Sequence, residues 1–289
     1  MQSKIRIKKH KNKNTYLFCE NMWIRNFTQN KIKSIDINQN YIKGDFDLFL
    51  KNEVANIKNK NLLIDNESSK YKKAVIVSDG LFFNEKQFIL SELNYKDVAI
   101  IGVNGTLTNW KMIKGLSDKQ RIMNYYLINN PYDEAKYFLP NKHKYYPKCI
   151  ASIRTNPNFI EEYQGSVYYY TPVKNEYYSG VELHSNFPFD DYRNPICAAI
   201  CFAYKLGVEK LLLLCCDDSF KNHRPGAVKV DEYWTYPQHI MSNNIIDSQL
   251  HWIKNKMTIK HHCCGLKFNN SSYINYEDIY EFFNQDGEG

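Results

Sequence analysis

The sequence lacks the glycine-rich motifs with which many nucleotide-binding enzymes hold phosphate groups. It contains neither Gly-x-Gly-x-x-Gly nor Gly-x-x-x-x-Gly-Lys-Ser/Thr. Both motifs present backbone N–H groups to a phosphate at the start of a helix. Their absence disfavours ordinary dinucleotide dehydrogenases and P-loop kinases.

Long apolar runs are also missing. No stretch of 18 consecutive apolar residues occurs, and the basic N-terminus has neither an apolar segment nor a small-residue cleavage site. We therefore expect no transmembrane helix and no secretory signal. No internal repeat is evident in the sequence.

The eight cysteines do not form a pattern typical of disulfides or of a zinc site. Cys197 and Cys201 lie in an apolar helical pattern, and Cys215 and Cys216 end an apolar strand pattern. Such cysteines behave as small buried side chains of a reducing compartment, which indicates a cytoplasmic protein. The pair His261-His262 has no third metal ligand in register, so we interpret it as structural or surface-exposed.

The formal charge of +7 is unevenly distributed. Residues 1–33 contain nine Lys and Arg but a single acid, Glu20. A basic arm of this kind can contact nucleic acid, an anionic surface or an acidic partner, or simply be a solvated chain start. Because residues 1–70 are polar and irregular, we expect a basic extension or small subdomain there, ahead of a domain over 71–289. The oligomeric state is not predicted.

From Lys73 onwards, short apolar strand patterns alternate with helical patterns. This alternation predicts an α/β fold with a doubly wound, mainly parallel, Rossmann-like sheet. Polar loops are expected at 174–193 and 219–238. The predicted strands are 74–77, 98–101, 125–128, 149–152, 167–170, 211–216 and, more weakly, 258–260. The predicted helices are 84–93, 107–114, 133–139, 157–163, about 242–254 and 276–283, together with a buried helix that starts near Pro195 and ends before Gly207.

Three successive strands end in similar small polar turns. These turns are Asp79-Gly80, Asn104-Gly105 and Asn130-Pro131. Glycine lets the backbone approach a ligand closely, and small polar side chains can bind a ribose or a base. Asn and Gly also dominate ordinary turns. Their recurrence on three neighbouring strands predicts a nucleotide site at the carboxyl edge of the sheet.

Two carboxylates, Asp217 and Asp218, follow the apolar run 211–216. A carboxylate at a strand end can hold a magnesium ion that bridges phosphates, act as a base, or cap a loop. Adjacent strand residues point to opposite faces, so at most one of the pair would face a ligand unless the strand has already ended. In the following loop, His223 and Arg224 are candidates for a general acid and a phosphate clamp, or for solvated side chains.

Arg193 and Asn194 precede the most apolar helix of the chain. A helix N-terminus favours an anion, so these residues are candidate phosphate ligands. Asn194 can equally be the N-cap, with Pro195 at the first helical position.

Two of these pieces carry a resemblance to a known family: Ile-Gly-Val-Asn-Gly at 101–105 and Leu-Gly-Val-Glu-Lys-Leu-Leu-Leu-Leu-Cys-Cys-Asp at 206–217. Over about residues 73–275, the chain resembles the domain shared by archaeal 6-hydroxymethylpterin pyrophosphokinases and bacterial motility accessory factor glycosyltransferases. It is more distantly similar to Rossmann-type sialyltransferases. The resemblance implies that Asn104 faces a nucleotide and that Asp217 faces the reacting phosphates or sugar. The family's Gly-Pro-Ser-Leu after the first strand is replaced here by Ser-Asp-Gly-Leu at 78–81.

The resemblance and the strand ends together predict a nucleotide-dependent transferase. The leading hypothesis is a glycosyltransferase that moves a sugar from a nucleotide sugar to a small-molecule or glycan acceptor. One alternative is a pyrophosphokinase that uses Mg-ATP on a pterin-like acceptor; another is an inactive nucleotide- or nucleic-acid-binding protein. The predicted nucleotide-binding residues are Asp79, Gly80, Asn104, Gly105, Asn130, Arg193 and Asn194, the predicted catalytic residues are Asp217 and His223, and the predicted magnesium ligands are Asp217 and Asp218.

Overall fold

The structure is a computed structural model in which sixteen segments of the chain are described. They are residues 7–9, 15–19, 22–24, 48–49, 51–56, 71–80, 89–93, 97–109, 123–139, 146–172, 188–189, 194–217, 219–222, 224–263, 265 and 267–285.

The strands are numbered in chain order. Strands β1 (Ile7–Lys9), β2 (Thr15–Cys19) and β3 (Met22–Ile24) form a small antiparallel sheet. The strands that follow are β4 (Lys73–Val77), β5 (Val98–Val103), β6 (Tyr125–Ile128), β7 (Lys148–Ser152), β8 (Val167–Pro172), β9 (Pro188–Phe189), β10 (Lys210–Leu214), β11 (Ser219–Phe220), β12 (Val228–Val230), β13 (Tyr233–Thr235), β14 (Thr258–His262) and β15 (Ser272–Tyr273).

The helices are short except for two. Residues 48–49 and 51–56 are helical and are called here the N-terminal helical segment. Short 3-10 helices cover Asp133–Phe138 and Tyr276–Asp278. The α-helices are α1 (Ile89–Glu92), α2 (Thr106–Asn109), α3 (Pro157–Glu162), α4 (Pro195–Lys205), α5 (Pro237–Ile253) and α6 (Ile279–Asn284).

Nine strands of the described chain form the central sheet, in the order β15-β14-β10-β4-β5-β6-β7-β8-β9. Every neighbouring pair in it is parallel. The chain first runs from β4 outwards to β9 and then returns to place β10 on the other side of β4. The topological switch point therefore lies between β4 and β10, where open α/β sheets commonly bind ligands.

Helices cover both faces of this sheet, as the continuous apolar strands require. One core contains Ala74 and Ile76 of β4 together with α4 and the apolar residues of α5. The other contains Val75 and Val77 together with α1, α2, α3 and α6. Alternate strand residues thus enter opposite layers. The prediction of a doubly wound, mainly parallel, Rossmann-like sheet is confirmed.

The segment 219–238, predicted to be a polar loop, contains a second small sheet. Strands β11 and β12 both pair antiparallel with β13. These strands are two or three residues long, too short to produce an apolar run that the sequence pattern would reveal. The following helix begins at Pro237, five residues before the predicted start, because proline fits the first helical position.

Strand β10 ends two residues before its apolar run does. Cys215 has a φ of 54°, a left-handed conformation that stops the strand after Leu214. Asp217 is consequently in a turn, and the expected alternation of Asp217 and Asp218 across a strand does not apply. Within the described residues, no helix has both the length and the apolar character that crossing a membrane requires.

Candidate functional site

A cavity of about 270 Å³ lies at the carboxyl ends of β5, β6 and β7. The turns after these three strands supply most of its wall, and the N-terminal helical segment and the start of α4 complete it. Its lining residues are Phe49, Asn104, Asn129, Asn130, Pro131, Tyr132, Ser152, Arg154 and Pro195. Two residues predicted from strand ends, Asn104 and Asn130, are therefore brought together.

Asn104 is held in the turn after β5 in a left-handed conformation, with a φ of 43°. Asn tolerates this conformation better than most residues. Its N–H donates to the carbonyl of Leu127 at 3.2 Å, and its own carbonyl accepts from the Tyr126 hydroxyl at 2.8 Å. Burial raises the pKa of Tyr126, which keeps this hydroxyl protonated as a donor. Among the described residues, nothing hydrogen-bonds to the buried side-chain Oδ1 of Asn104.

The two asparagines after β6 have different roles. The side chain of Asn130 accepts from the N–H of Tyr132 at 2.9 Å and so shapes its own turn. The buried Nδ2 of Asn129 has no hydrogen-bond partner within the described part of the chain. A buried amide group left unpaired costs about 1–3 kcal/mol. Two residues that line the cavity thus keep one buried side-chain atom each without a partner among the described residues, an acceptor on Asn104 and a donor on Asn129.

Arg154 and Ser152 line the cavity but were not singled out from the sequence. The Nε of Arg154 donates to Glu53 Oε1 at 2.7 Å, and its guanidinium carbon lies 5.6 Å from the centre of the Phe49 ring. The backbone N–H of Arg154 donates to Ser152 Oγ at 3.3 Å. The sequence does contain a pattern that could have pointed to them. Ser152 ends a fourth buried strand and Arg154 follows it, just as the asparagines follow the second and third buried strands.

The glycines predicted to admit a ligand are packed against the protein itself. Gly80 donates its N–H to the Cys215 carbonyl at 3.1 Å, and a Cβ on Gly80 would overlap the carbonyl oxygens of Cys215 and Asp217. A Cβ on Gly105 would overlap the carboxylate of Asp79. Asp79 is itself exposed. The β4–β10 switch point is therefore closed by a direct backbone contact, and the cavity lies one to three strands away from it.

Asp217 is fully buried and does not line the cavity. Its Oδ2 accepts hydrogen bonds from the N–H of Gly265, at 2.8 Å, and from the hydroxyl of Ser219. These contacts join the turn after β10 to the turn after β14. Within the described residues, no group of three or more His, Cys, Asp or Glu is arranged to hold a metal ion. The geometry indicates a structural role for Asp217.

Asn194 is the N-cap of α4. Its Oδ1 accepts from the N–H groups of Ile196 at 2.8 Å and Cys197 at 3.4 Å, and its Nδ2 donates to Ser242 Oγ at 2.6 Å. The side chain is thus engaged in capping, while the adjacent Pro195 reaches the cavity wall. The predicted site residues Arg193, Asp218 and His223 lie outside the described residues.

The paired histidines at the end of β14 are inside the protein. The Nδ1 of His261 lies 2.8 Å from Ser271 Oγ, and the Nδ1 of His262 lies 2.9 Å from the Ile274 carbonyl. Burial lowers the pKa of His261 to about 4. Both rings therefore pack within the fold, in agreement with the interpretation that they are structural.

Comparison with known proteins supports the fold. The structure resembles that of the MAf glycosyltransferase from Magnetospirillum magneticum AMB-1, with a TM-score of 0.61 and 13% sequence identity. The similarity covers 80% of this chain and 39% of the other, so this chain corresponds to about two fifths of that protein. No protein-family model and no curated protein sequence matches the chain. The fold that the resemblance to motility accessory factor glycosyltransferases implies thus has a structural counterpart.

Proposed function

We propose that the chain is a glycosyltransferase that binds a nucleotide sugar in the cavity above β5, β6 and β7. The observation that carries the proposal is that Asn104 and Asn129, which each keep one buried side-chain atom without a hydrogen-bond partner among the described residues, line a cavity at the carboxyl edge of a Rossmann-like sheet. Ligands of open α/β sheets bind at this edge, and amide side chains can pair with a nucleobase or a ribose. The fold shared with a glycosyltransferase supports the same reaction class.

The start of helix α4 suits a diphosphate or phosphate leaving group. The helix begins at Pro195, which lines the cavity, and its dipole favours negative charge there. Arg154 lines the same cavity, with its cation paired with Glu53. In the proposed reaction an acceptor hydroxyl attacks the anomeric carbon, the sugar–phosphate bond breaks, and the nucleotide leaves with the bonding electrons. The acceptor's proton goes to a base, for which His223 stays the prediction.

The pyrophosphokinase alternative is less well supported. It requires Asp217 to act at the phosphates of Mg-ATP. The buried Asp217 carboxylate instead accepts hydrogen bonds from Gly265 and Ser219. We therefore favour the transferase.

Thermal-shift measurements with CMP, UDP and ATP, each with and without magnesium, test this proposal. We expect CMP or UDP to raise the melting temperature. Stabilisation by ATP alone, and only with magnesium, would favour the pyrophosphokinase. No stabilisation by any nucleotide would refute nucleotide binding.

Two variants then locate the site. Asn104→Gly keeps the left-handed turn and removes the side chain, and Asn129→Ala removes the donor. Each should weaken nucleotide binding about 2- to 12-fold, the usual effect of one hydrogen bond. Asn244→Ala, on the exposed surface of α5, is the matched control and should leave the affinity unchanged.

A further inference from the structure

The amino edge of the central sheet, opposite the cavity, carries the C-terminal ends of two helices. Helices α4 and α5 end just before β10 and β14 begin. Asn194 contacts Ser242 at 2.6 Å and Cys201 contacts Gln249 at 3.1 Å, and both pairs are 48 residues apart. Because this offset is constant, the two helices run side by side in the same direction, and their C-terminal ends lie next to each other.

Four exposed side chains at these helix ends are called here the basic aromatic patch. They are Tyr204, Trp252, Lys254 and Lys256. Trp252 is 76% exposed, the highest value among the large apolar side chains of the described residues, although tryptophan is mostly buried in folded proteins. An indole left in water beside a second aromatic ring and two lysines is a candidate docking surface.

Both lysines of the patch contact neutral oxygens. Lys256 Nζ donates to the Tyr204 hydroxyl at 3.2 Å and lies 4.9 Å from the centre of the same ring. Lys254 Nζ donates to Asn270 Oδ1 at 3.1 Å. Within the part of the chain that the structure describes, neither ammonium group is therefore paired with a carboxylate.

Acidic residues are missing from the segment that supplies most of the patch. Residues 248–276 contain no Asp or Glu. The acids that come nearest in the sequence are engaged elsewhere. Glu209 pairs with Lys72 at 2.6 Å, and Asp247 accepts from the backbone N–H of Asn270 at 2.8 Å. The two lysine charges of the patch are thus available to an anionic partner.

We propose that the basic aromatic patch docks this protein on the surface of an anionic lipid membrane. Tryptophan and tyrosine favour the boundary between headgroups and acyl chains, and lysine is attracted to anionic headgroups. A lysine can also rest its apolar stem along this boundary while its ammonium group reaches the headgroups. Because the cavity lies at the opposite edge of the sheet, a docked protein keeps the cavity clear of the bilayer. This inference does not depend on the proposed function.

Nucleic acid fits the patch less well than a membrane does. Arginine, the usual residue for bidentate contacts to phosphates and bases, is absent from it. The Lys256 ammonium already lies over the Tyr204 ring, so Trp252 alone is left as a stacking platform. Proteins that track single strands stack successive bases on several aromatic rings.

Co-sedimentation with lipid vesicles tests the inference on the full chain. One set of vesicles contains phosphatidylcholine alone, and the other contains an equal mixture of phosphatidylcholine and anionic phosphatidylglycerol. We expect binding to the mixed vesicles and much weaker binding to phosphatidylcholine. Binding should also fall as salt is added, because salt screens the lysine charges.

Two patch variants locate the binding surface. Lys254→Gln combined with Lys256→Gln should weaken binding to the mixed vesicles on the order of 30-fold, because each lysine near an anionic surface contributes roughly a factor of five. Trp252→Ala should weaken binding about 10-fold, since no indole then enters the interface. All three side chains are exposed, so the melting temperatures should stay at the wild-type value and show that both variants fold.

Matched controls use exposed residues that follow the carboxyl ends of the strands. Lys136→Gln combined with Lys229→Gln removes the same charge, and Tyr137→Ala removes an aromatic side chain that is 68% exposed. Both controls should bind the mixed vesicles as the wild type does. Equal weakening by the controls and the patch variants would overturn the assignment to the patch.

Tryptophan emission shows whether Trp252 enters the bilayer interface. The difference between the spectra of the wild type and Trp252→Phe isolates its emission from that of the other tryptophans. This difference spectrum should move to shorter wavelength when the mixed vesicles are added. A difference spectrum that does not move would overturn the insertion of Trp252.

The remaining outcomes also decide the question. A wild type that does not bind the mixed vesicles would overturn the inference. Unchanged vesicle binding in both patch variants would do the same, because binding would then arise elsewhere, for instance in the basic residues 1–33. Single-stranded DNA that binds more tightly than the vesicles and loses affinity in the double lysine variant would identify a nucleic-acid surface instead.

Discussion

Replacing Asn56 tests whether the N-terminal helical segment is held by hydrogen bonds or by apolar packing. Asn56 is 1% exposed and donates both amide hydrogens to buried backbone carbonyls, each at 2.8 Å. Asn56→Ala leaves the carbonyls of Ile153 and Thr155 without this donor. Each unsatisfied group costs about 1–3 kcal/mol, so the loss should be about 2–6 kcal/mol, and nearer the lower end if water enters the space.

The isosteric variant Asn56→Asp distinguishes the two explanations more sharply. It keeps the volume of the side chain but replaces the donor by a charged oxygen that faces two carbonyl oxygens. If hydrogen bonding holds the segment, Asn56→Asp should be at least as destabilising as Asn56→Ala. If packing holds it, the better-filled Asp variant should be the more stable one.

Thermal denaturation at neutral pH measures this difference. At about 2–4 °C per kcal/mol for a domain of this size, Asn56→Ala should lower the melting temperature by at least about 4 °C. Because the segment can also undock locally, proteolysis near residue 50 provides a second measurement. Val54→Ala, on the exposed face, should change neither. A wild-type melting temperature for Asn56→Asp would refute the reasoning.

Three further predictions concern the edge of the sheet. Gly80→Ala should lower the free energy of unfolding by about 1–3 kcal/mol or more, because the new Cβ would meet backbone carbonyls. Gly105→Ala should lower it less, because its Cβ would meet only a flexible side chain. Urea denaturation of both variants measures the difference. Asp217→Ala should lower the melting temperature because the N–H of Gly265 loses a buried charged acceptor, and an unchanged value would contradict the structural role. Stability should fall as the pH drops from about 6.5 to about 4, because unfolded histidine binds its proton near 6.5 whereas burial lowers the pKa of His261 to about 4. His261→Gln should therefore flatten the pH dependence of the melting temperature. An equally steep profile would show that His261 does not cause the loss of stability at low pH.

Apolar continuity made the central sheet predictable. Runs such as 74–77 and 125–128 are buried throughout and became strands with nearly the expected bounds. The sheet of β11, β12 and β13 was not predictable in the same way. Its strands are only two or three residues long, and the pairing between them defines them, since no apolar run does. The N-terminal helical segment was missed because asparagines supply half of its buried face.

The position of the cavity was predictable, but not the set of residues that line it. Parallel strands bring their carboxyl ends to one edge, so polar turns after successive strands had to lie near each other. Which side chain enters the cavity depends on backbone conformation in each turn. The left-handed Asn104 lines the cavity, whereas the left-handed Cys215 ends β10 early and leaves Asp217 inside the protein. Sequence patterns do not reveal such dihedral angles.

The closed switch point explains why a distant segment takes part in the cavity. The contact between Gly80 and the Cys215 carbonyl fills the crevice between β4 and β10, where a Rossmann-like sheet would usually receive its ligand. The cavity is displaced towards β7, and there the N-terminal helical segment supplies the wall through Phe49 and the partner of Arg154 through Glu53. A chain that began at residue 71 would keep every strand of the central sheet and lose that wall. A domain boundary drawn from the strand pattern alone would therefore cut through the proposed site.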